Sequence, residues 1–254
     1  MIDTANGSAQ GPEPSFVVRR AVDDDYGAFS RLFPGLEVDD PMPTPTTWAS
    51  KMVPFSWVAA VGGDVIGYCY CQEYDDTGYV RQIVVAPTAR RRGVGRALLR
   101  GAAEHLRMAG KRFWRLNVKP DNHLARRLYE RVGLIVAYPA VSLRFPWASL
   151  GGIAGGRATI DEVGPEQDVA AESAFGLPAG QLASARALNR IILHASLGWQ
   201  DHMSGLAVFD PKFPGAFPFR VRDPEALEPL MAALRARARP SDTFVGIVVE
   251  DDAA

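Results

Sequence analysis

A short basic segment carries the residue types best suited to phosphate binding. It follows an apolar strand that leads to Pro87, and its last three residues begin a helical pattern that starts at Val94. The segment comprises Arg90, Arg91, Arg92, Gly93, Val94, Gly95 and Arg96. Unpaired N–H groups and the dipole at a helix N-terminus attract anions. Glycines let the backbone approach a ligand closely, and arginines add positive charge. The segment by itself predicts either a phosphate site or a solvated basic loop.

The two common phosphate-binding motifs do not fit this segment. It contains no Gly-Lys-Ser/Thr sequence, which excludes a P-loop. The third glycine of the dinucleotide motif is absent, and the strands that precede the loop have the hairpin pattern of antiparallel strands rather than that of a Rossmann fold. A second motif is therefore needed to identify the ligand.

The second motif lies on a helix predicted from Asn122 to Val132. It consists of Asn122, Ala125, Leu128, Tyr129 and Gly133, at the spacing Asn-x-x-Ala-x-x-Leu-Tyr-x-x-x-Gly. Together with Arg90, Gly93 and Gly95 in the spacing Arg-x-x-Gly-x-Gly, it resembles the GCN5-related N-acetyltransferase (GNAT) family. The resemblance covers about residues 16–147. The sequence departs from the family pattern at Leu134, where the family has Phe.

The resemblance implies that acetyl-CoA is the co-substrate, and it indicates which residues would bind it. These residues are Ile83, Val84, Val85, Arg90, Arg91, Arg92, Gly93, Val94, Gly95, Arg96, Asn117, Asn122 and Ala125. In the family the central strand, here ending at Val85, splays from the strand that would hold Asn117, and the thioester lies in the gap. A backbone N–H near Val85 would then stabilise the oxyanion.

The resemblance also implies direct attack of the amine on the thioester in a ternary complex. Tyr129 would donate a proton to the departing thiolate. A base would be needed to deprotonate the amine, and Glu73 is the candidate, although a surface carboxylate at a strand end is the competing interpretation. Arg81 and Gln82 occupy the strand where an acid would be expected, which weakens the case for one dedicated base.

The acceptor would be a primary amine of a small molecule or of a peptide or protein. The acidic loop with Glu37, Asp39 and Asp40 would either steer a cationic amine or be a solvated loop. The alternative function is an acyl-CoA-binding sensor or scaffold without turnover. A homodimer is left open.

The order of elements predicts an α+β fold of the GNAT type, with a mixed, mostly antiparallel twisted sheet flanked by helices. Residues 1–14 are expected to be disordered, and 15–147 to form the acetyl-CoA-binding catalytic domain. A glycine-rich linker is predicted at 148–156, followed by a second, smaller domain at 157–254.

The second half echoes the first in its predicted elements, although few identities support the similarity. We predict strands at 158–163, 205–209 and 243–249, and helices at 166–175, 178–197 and 224–238. Residues 207–215 would stand in the place of the strand and basic loop of the first half. The hypothesis is a degenerate GNAT-like repeat, in which Phe and Pro replace Arg and Gly; an unrelated extension is the alternative.

The composition argues against several classes of protein. A net charge of −1 gives no general attraction to nucleic acid or to an anionic membrane. No apolar run reaches the length of a membrane span. Cys69 and Cys71 would share one face of a strand and pack as free thiols, and no Cys or His cluster suggests a metal. These features predict a cytoplasmic protein with neither a metal nor a nucleic-acid partner.

Overall fold

The computed structural model describes residues 16–38, 40–153, 155–198 and 203–250. The predicted disordered tail at 1–14, Asp39 of the acidic loop and Ala154 of the predicted linker lie outside the described residues. The chain divides into two units. The first contains the residues up to Gln72, Val80–Ala109 and Asn122–Val132, and the second contains Glu73–Tyr79, Gly110–Asp121 and the residues from Gly133 onwards.

The first sheet has five strands, which lie in sequence order. They are β1 (Val17–Arg20), β2 (Ser56–Val61), β3 (Asp64–Glu73), β4 (Thr77–Val85) and β5 (Phe113–Arg115). β2 pairs antiparallel with β1 and β3, whereas β5 is parallel to β4. Gly62 and Gly63 join β2 to β3 with φ of 56° and 96°, and the tight turn needs glycine here because side chains disfavour these angles.

Four helices accompany these strands in the first unit. They are α1 (Tyr26–Leu32), α2 (Pro45–Thr47, continuing as a π-helical turn to Met52), α3 (Val94–Met108) and α4 (His123–Arg131). Phe29 and Trp48 pack with Tyr68 and Val84 in one core cluster. α3 buries Leu98, Ala102 and Leu106, as its sequence pattern predicts.

The parallel pairing of β4 with β5 is short. It consists of three pairs, from Thr77–Phe113 to Tyr79–Arg115, and β4 continues beyond the last pair to Val85. The strand that was expected to hold Asn117 therefore ends at Arg115, before it reaches that residue. Asn117 lies exposed in an irregular segment, because the chain must leave the sheet before α4 begins at His123.

The second sheet has six strands in the order β6-β11-β10-β9-β8-β7, all in the second unit. They are β6 (Ala140–Pro146), β7 (Thr159–Glu162), β8 (Ile191–Ser196), β9 (Met203–Asp210), β10 (Gly215–Val221) and β11 (Phe244–Glu250). Only β10 and β11 are parallel among the recorded pairs. Helices α5 (Asp168–Ala174) and α6 (Gln181–Ala187) connect β7 to β8, and α7 (Leu227–Arg237) connects β10 to β11.

Two strands of the second half were not predicted. The predicted helix at 178–197 is wrong in its second part, since α6 ends at Ala187 and the chain turns at Asn189, with φ of 59°, into β8. Ile192 and Leu193 are both buried in β8, one on each face, a short apolar run that periodicity cannot assign. β10 was missed because Pro218 interrupts its pattern.

The end of the predicted catalytic domain also differs from expectation. Residues 134–138 form no strand, and β6 pairs with β11 over seven residue pairs instead of joining the first sheet. Trp147 packs in the same core as Leu230 and Val245. The predicted linker at 148–156 begins within a 3-10 turn, Trp147–Gly152. The change from one sheet to the other thus occurs before β6.

The two halves share one order of elements. β1-α1-α2-β2-β3-β4-α3-β5 corresponds to β7-α5-α6-β8-β9-β10-α7-β11, and the last two strands are parallel in both series. The counterpart of β4 is therefore β10. The proposed correspondence of residues 207–215 with the strand and basic loop of the first half is wrong, because these residues form the end of β9 and the turn that leads to β10.

Candidate active site

The loop between β4 and α3 is held by backbone and side-chain bonds. Ala86 N donates to Ile66 O at 2.8 Å, and Arg90 Nε donates to Val85 O at 3.1 Å. Arg90 therefore fixes the loop to the end of β4. Arg91 has φ of 62°, a left-handed conformation that costs a residue with a side chain about 1–2 kcal/mol. Such strained positions often cluster at functional sites.

The N-terminus of α3 is open. Gly93 caps this helix with φ of 84° and provides no side-chain cap. A Cβ placed on Gly93 would meet no atom within 4 Å among the described residues. Val94 is buried and anchors the helix, whereas Arg91, Arg92 and Arg96 are exposed. The first-turn N–H groups and these guanidinium groups form a positive surface suited to a phosphate.

Gly95 has a packing role that the motif does not reveal. A Cβ on Gly95 would lie 3.0 Å from Leu128 Cδ2 and 3.7 Å from Val85 Cγ2. The absence of a side chain therefore allows α3, α4 and β4 to approach one another. Gly67 has a similar role in β3, since its Cβ would lie 2.8 Å from Val84 O. A glycine in the middle of an apolar strand was the signal for Gly67, which the sequence analysis missed.

The three predicted residues at the end of β4 are not equivalent. Val84 is buried in the core with Phe29 and Trp48, so its side chain belongs to the core. Ile83 and Val85 are half-buried, and strand alternation places them on the opposite face. Val85 is on the side of Gly95 and Leu128. The predicted contact with a thioester would therefore be made by the side chains of Ile83 and Val85 and by the backbone of β4, but not by the side chain of Val84.

Asn122 caps α4. Its Oδ1 accepts a hydrogen bond from Ala125 N at 3.1 Å, which makes Asn122 the N-cap of the predicted helix. The oxygen of Asn122 and the N–H of Ala125 are thus used by the helix. The Asn122 NH₂ group is not part of the cap, and it is the part of this side chain that suits a ligand carbonyl.

Tyr129 lies one turn beyond Ala125 in α4 and is half-buried. Burial, with a smaller contribution from the neighbouring Cys69, raises the pKa of Tyr129 to about 12. Cys69 and Cys71 are free and fully buried, as predicted, and a bond from Cys71 and burial raise the pKa of the Cys69 thiol. The Tyr129 phenol therefore keeps its proton at any pH at which a protein is normally assayed.

Glu73 and Asn117 both belong to the second unit. Glu73 Oε2 lies 3.4 Å from Lys111 Nζ, and Lys111 Nζ also donates to Tyr74 O at 2.6 Å. This ion pair gives Glu73 a structural partner. The first unit thus brings together the predicted acid and every predicted cofactor residue except Asn117, but not the candidate base.

Three further expectations concern the acidic loop, metal ligands and membrane spans. Glu37, with φ of 53°, and Asp40 are exposed. Within the described ranges, no group of three or more His, Cys, Asp or Glu residues is arranged to hold a metal. The helices in the described part of the chain all lack the combination of length and apolar character that a membrane span requires.

Comparison with known proteins identifies the first part of the chain. The sequence model of the acetyltransferase (GNAT) family matches residues 23–134. Residues 23–134 are a GNAT acetyltransferase domain. The match contains the basic loop, α3, α4 and Tyr129 of this GNAT domain, and it implies acyl transfer from a coenzyme A thioester. No curated protein has a significant match to the sequence.

Solved structures extend the similarity in fold to both halves. A GCN5-related N-acetyltransferase from Sphaerobacter thermophilus matches with a TM-score of 0.65 at 18% identity, covering 94% of this chain and 88% of its own. A GCN5-related N-acetyltransferase from Kribbella flavida matches with a TM-score of 0.55 at 15% identity, covering 92% of this chain and 64% of its own. The α+β fold with a second sheet is therefore that of known GNAT structures.

Proposed function

We propose that the chain is an N-acetyltransferase that moves the acetyl group of acetyl-CoA to a primary amine of a small molecule or a protein. The observation that carries this proposal is the combination, within the first unit, of an open helix N-terminus at Gly93 and a protonated Tyr129 on the adjoining helix α4. The first suits a pyrophosphate, and the second suits a departing thiolate.

The residues of the GNAT domain would divide the work of binding. The N–H groups from Arg91 to Arg96 would hold the pyrophosphate, with charge from the exposed Arg91, Arg92 and Arg96. The Asn122 NH₂ group would bond the pantetheine arm. Ile83 and Val85 would contact the acetyl end, and a backbone N–H near Val85 would stabilise the oxyanion.

The proposed reaction is a direct transfer. The amine nitrogen attacks the carbonyl carbon, the N–C bond forms, and the C–S bond breaks as the tetrahedral intermediate collapses. Tyr129 gives its proton to the sulfur and recovers a proton from solvent. The nitrogen loses its surplus proton to water, so the products are an acetamide and coenzyme A with a free thiol.

The attacking amine also needs a proton acceptor. The ion pair between Glu73 and Lys111 favours a structural role for Glu73, and water is the proton acceptor that requires no further residue. Exposed Glu37 and Asp40 would favour cationic acceptors by long-range attraction. The buried free thiols of Cys69 and Cys71 agree with a reducing compartment such as the cytoplasm.

Release of free thiol from acetyl-CoA tests the proposal. The full chain is incubated with acetyl-CoA and a panel of primary amines, and binding of acetyl-CoA is measured in parallel. We expect thiol release that depends on an amine. Binding without release for every amine would support the sensor instead. Arg91→Ala and Arg92→Ala are expected to weaken acetyl-CoA binding, whereas Arg107→Ala, exposed at the other end of α3, is the matched control.

A further inference from the structure

β6 forms one edge of the second sheet, and it differs from the other edge strands in the described part of the chain. It is seven residues long and pairs with β11 without a register shift. The opposite edge, β7, has four residues and ends in Asp161 and Glu162. In the first sheet, β1 has four residues and ends in Arg19 and Arg20, and β5 has three. Short or charged edges discourage pairing with another chain, so β6 is the edge strand best suited to accept one.

The backbone of β6 shows which of its groups face away from β11. Trp147 N donates to Thr243 O at 3.0 Å, in line with the antiparallel register of the two strands. Because N–H groups alternate in direction along a strand, the N–H of Leu143 also points to β11, whereas that of Ser142 points to the outer edge. Pro146, which has no N–H, falls on the outer side too, where an edge strand tolerates proline. A further strand can therefore bond to Ser142 without disturbing β11.

One face of β6 is apolar and exposed. Leu143 lies opposite Ile247, which is buried in the core together with residues of α7. Val141 lies on the same face, since side chains two residues apart in a strand point the same way. Phe145, at the other end of this face, packs against the same core. Val141 and Leu143 are nevertheless 54% and 46% exposed, so an added strand would remove apolar surface from water.

We propose that a second copy of the chain covers this edge, with its own β6 antiparallel to the first and Ser142 at the two-fold axis. The same surface then serves both copies, so the strand must be complementary to itself. Ser142 of each copy exchanges two backbone hydrogen bonds with Ser142 of the other. Val141 of each copy contacts Leu143 of the other. The proposal does not depend on acetyl transfer.

The charge of Arg144 selects this register. With Ser142 at the axis, Arg144 lies opposite Ala140 of the second copy, and the two arginines are at opposite ends of the paired segment. An axis at Leu143 would place them at diagonal positions, about 7–8 Å apart, where like charges disfavour pairing. The guanidinium of Arg144 lies 4.5 Å from the centroid of the Phe244 ring, within its own sheet and on the face away from Leu143. The strand thus meets its copy with apolar side chains at the centre and one cation at each end.

Sedimentation of the full chain tests this proposal. We expect a dimer at a chain concentration of about 100 µM, where an interface of micromolar affinity is populated. Ser142→Pro removes the N–H at the axis and none that points to β11, and Leu143→Lys places a charge beside Val141 of the second copy. Each should raise the dimer dissociation constant at least tenfold. Val17→Lys, which adds the same charge at an exposed valine of β1, should leave it unchanged.

Disulfide formation tests the register. Ser142→Cys should form a covalent dimer under mild oxidation, because the Cα atoms of a hydrogen-bonded antiparallel pair lie about 5.5 Å apart, within disulfide range. Leu143→Cys is the matched control, since its two copies lie at diagonal positions about 7–8 Å apart, beyond that range. The native Cys69 and Cys71 are buried and should not react.

The proposal is overturned if the chain stays monomeric, or if folded Ser142→Pro and Leu143→Lys variants dimerise as tightly as wild type. Leu143→Cys that forms the covalent dimer as readily as Ser142→Cys would overturn the pairing about Ser142. A monomer whose Ser142 amide is protected from hydrogen exchange would assign the edge to a segment of the same chain instead of a second copy.

Discussion

Tyr129 combines two properties that a catalytic acid for thiolate departure requires. It occupies the tyrosine position of the GNAT motif, and burial keeps its phenol protonated, with a pKa of about 12. A group with a raised pKa loses its proton only as the pH rises through that value, so activity should show no loss from Tyr129 ionisation between pH 7 and pH 10. A pH profile of kcat at saturating amine checks this expectation, and a decline in that range that Tyr129→Phe removes would contradict it.

The substitution Tyr129→Phe removes the proton donor and keeps the ring. We expect kcat to fall by about 10²–10⁴, the usual range for loss of general acid catalysis, with little change in the KM for acetyl-CoA. Tyr26→Phe is the control, because the Tyr26 hydroxyl donates to Pro43 O in another part of the unit. Unchanged thiol release by Tyr129→Phe would show that the proton comes from elsewhere.

Glu73 is predicted to be structural rather than catalytic. Glu73→Gln breaks the ion pair with Lys111, whose atoms lie 3.4 Å apart with both side chains largely buried. The free energy of unfolding should fall by an amount on the order of 1 kcal/mol, with kcat within about threefold of wild type. Lys111→Met should lower the free energy of unfolding by a similar amount, and thermal unfolding of both variants measures this. A hundredfold loss of kcat in Glu73→Gln, absent from Lys111→Met, would instead identify Glu73 as the base.

At the scale of elements, the contact of α3 with α4 positions the proposed acid. A methyl group at Gly95 would lie 3.0 Å from Leu128 Cδ2, in the residue next to Tyr129. Gly95→Ala should therefore displace α4, lower kcat/KM and cost about 1–3 kcal/mol of stability, as other overpacked sites do. Adding Leu128→Ala should restore part of the lost kcat/KM. A double-mutant cycle on kcat/KM measures this coupling, and strictly additive effects would contradict it.

The start of α1 depends on a charged contact. Arg19 donates to both oxygens of Asp25, at 2.7 and 2.8 Å, and Val22 N donates to Asp25 at 2.9 Å. Burial by itself would raise the pKa of Asp25, but these bonds outweigh it and the net shift is downward. Because the folded pKa is lower than the unfolded one, this stabilisation is present above the unfolded value and is lost as the pH falls through the folded value.

Asp25→Asn should therefore lower the free energy of unfolding at pH 7, by an amount on the order of 1 kcal/mol. The difference from the wild-type chain should decrease as the pH is lowered below about 4, where the unfolded-state carboxylate takes up its proton. Urea unfolding of both proteins at pH 7 and at pH 3 measures this. A difference that stays the same at both pH values would show that the charge of Asp25 is not responsible.

Local patterns predicted the first unit well because its elements have clear ends. Gly62-Gly63 marks a hairpin, Asn122 a cap, and Gly110 and Gly133 follow helices with φ of 73° and 93°. The prediction was less successful where the outcome depends on distant partners. The sheet that β6 joins is decided by its pairing with β11, about a hundred residues away. Glu73 likewise could not be paired with Lys111 from the sequence, nor Gly95 with Leu128.

The whole molecule contains the same order of elements twice, yet the two equivalent helix N-termini differ. In α3 the cap is Gly93, and no acidic residue lies in the first turn. Before α7, Asp223 Oδ1 accepts from Glu225 N at 2.9 Å, and Glu225 and Glu228 add negative charge. A carboxylate already satisfies the N-terminus in the second unit and repels phosphate. We therefore propose that the second half is a repeat that does not bind a nucleotide cofactor.

This proposal predicts one molecule of acetyl-CoA per chain in isothermal titration calorimetry. Gly93→Asp places at the cap of α3 the residue that the second half uses, and it should weaken binding at least a hundredfold because the carboxylate competes for the N–H groups and repels the pyrophosphate. Asp223→Ala should keep one site with an affinity within about twofold of wild type, since an N-cap substitution costs only about 0.5–2 kcal/mol of stability. Two sites per chain, or one site of full affinity in Gly93→Asp, would place a cofactor in the second unit after all.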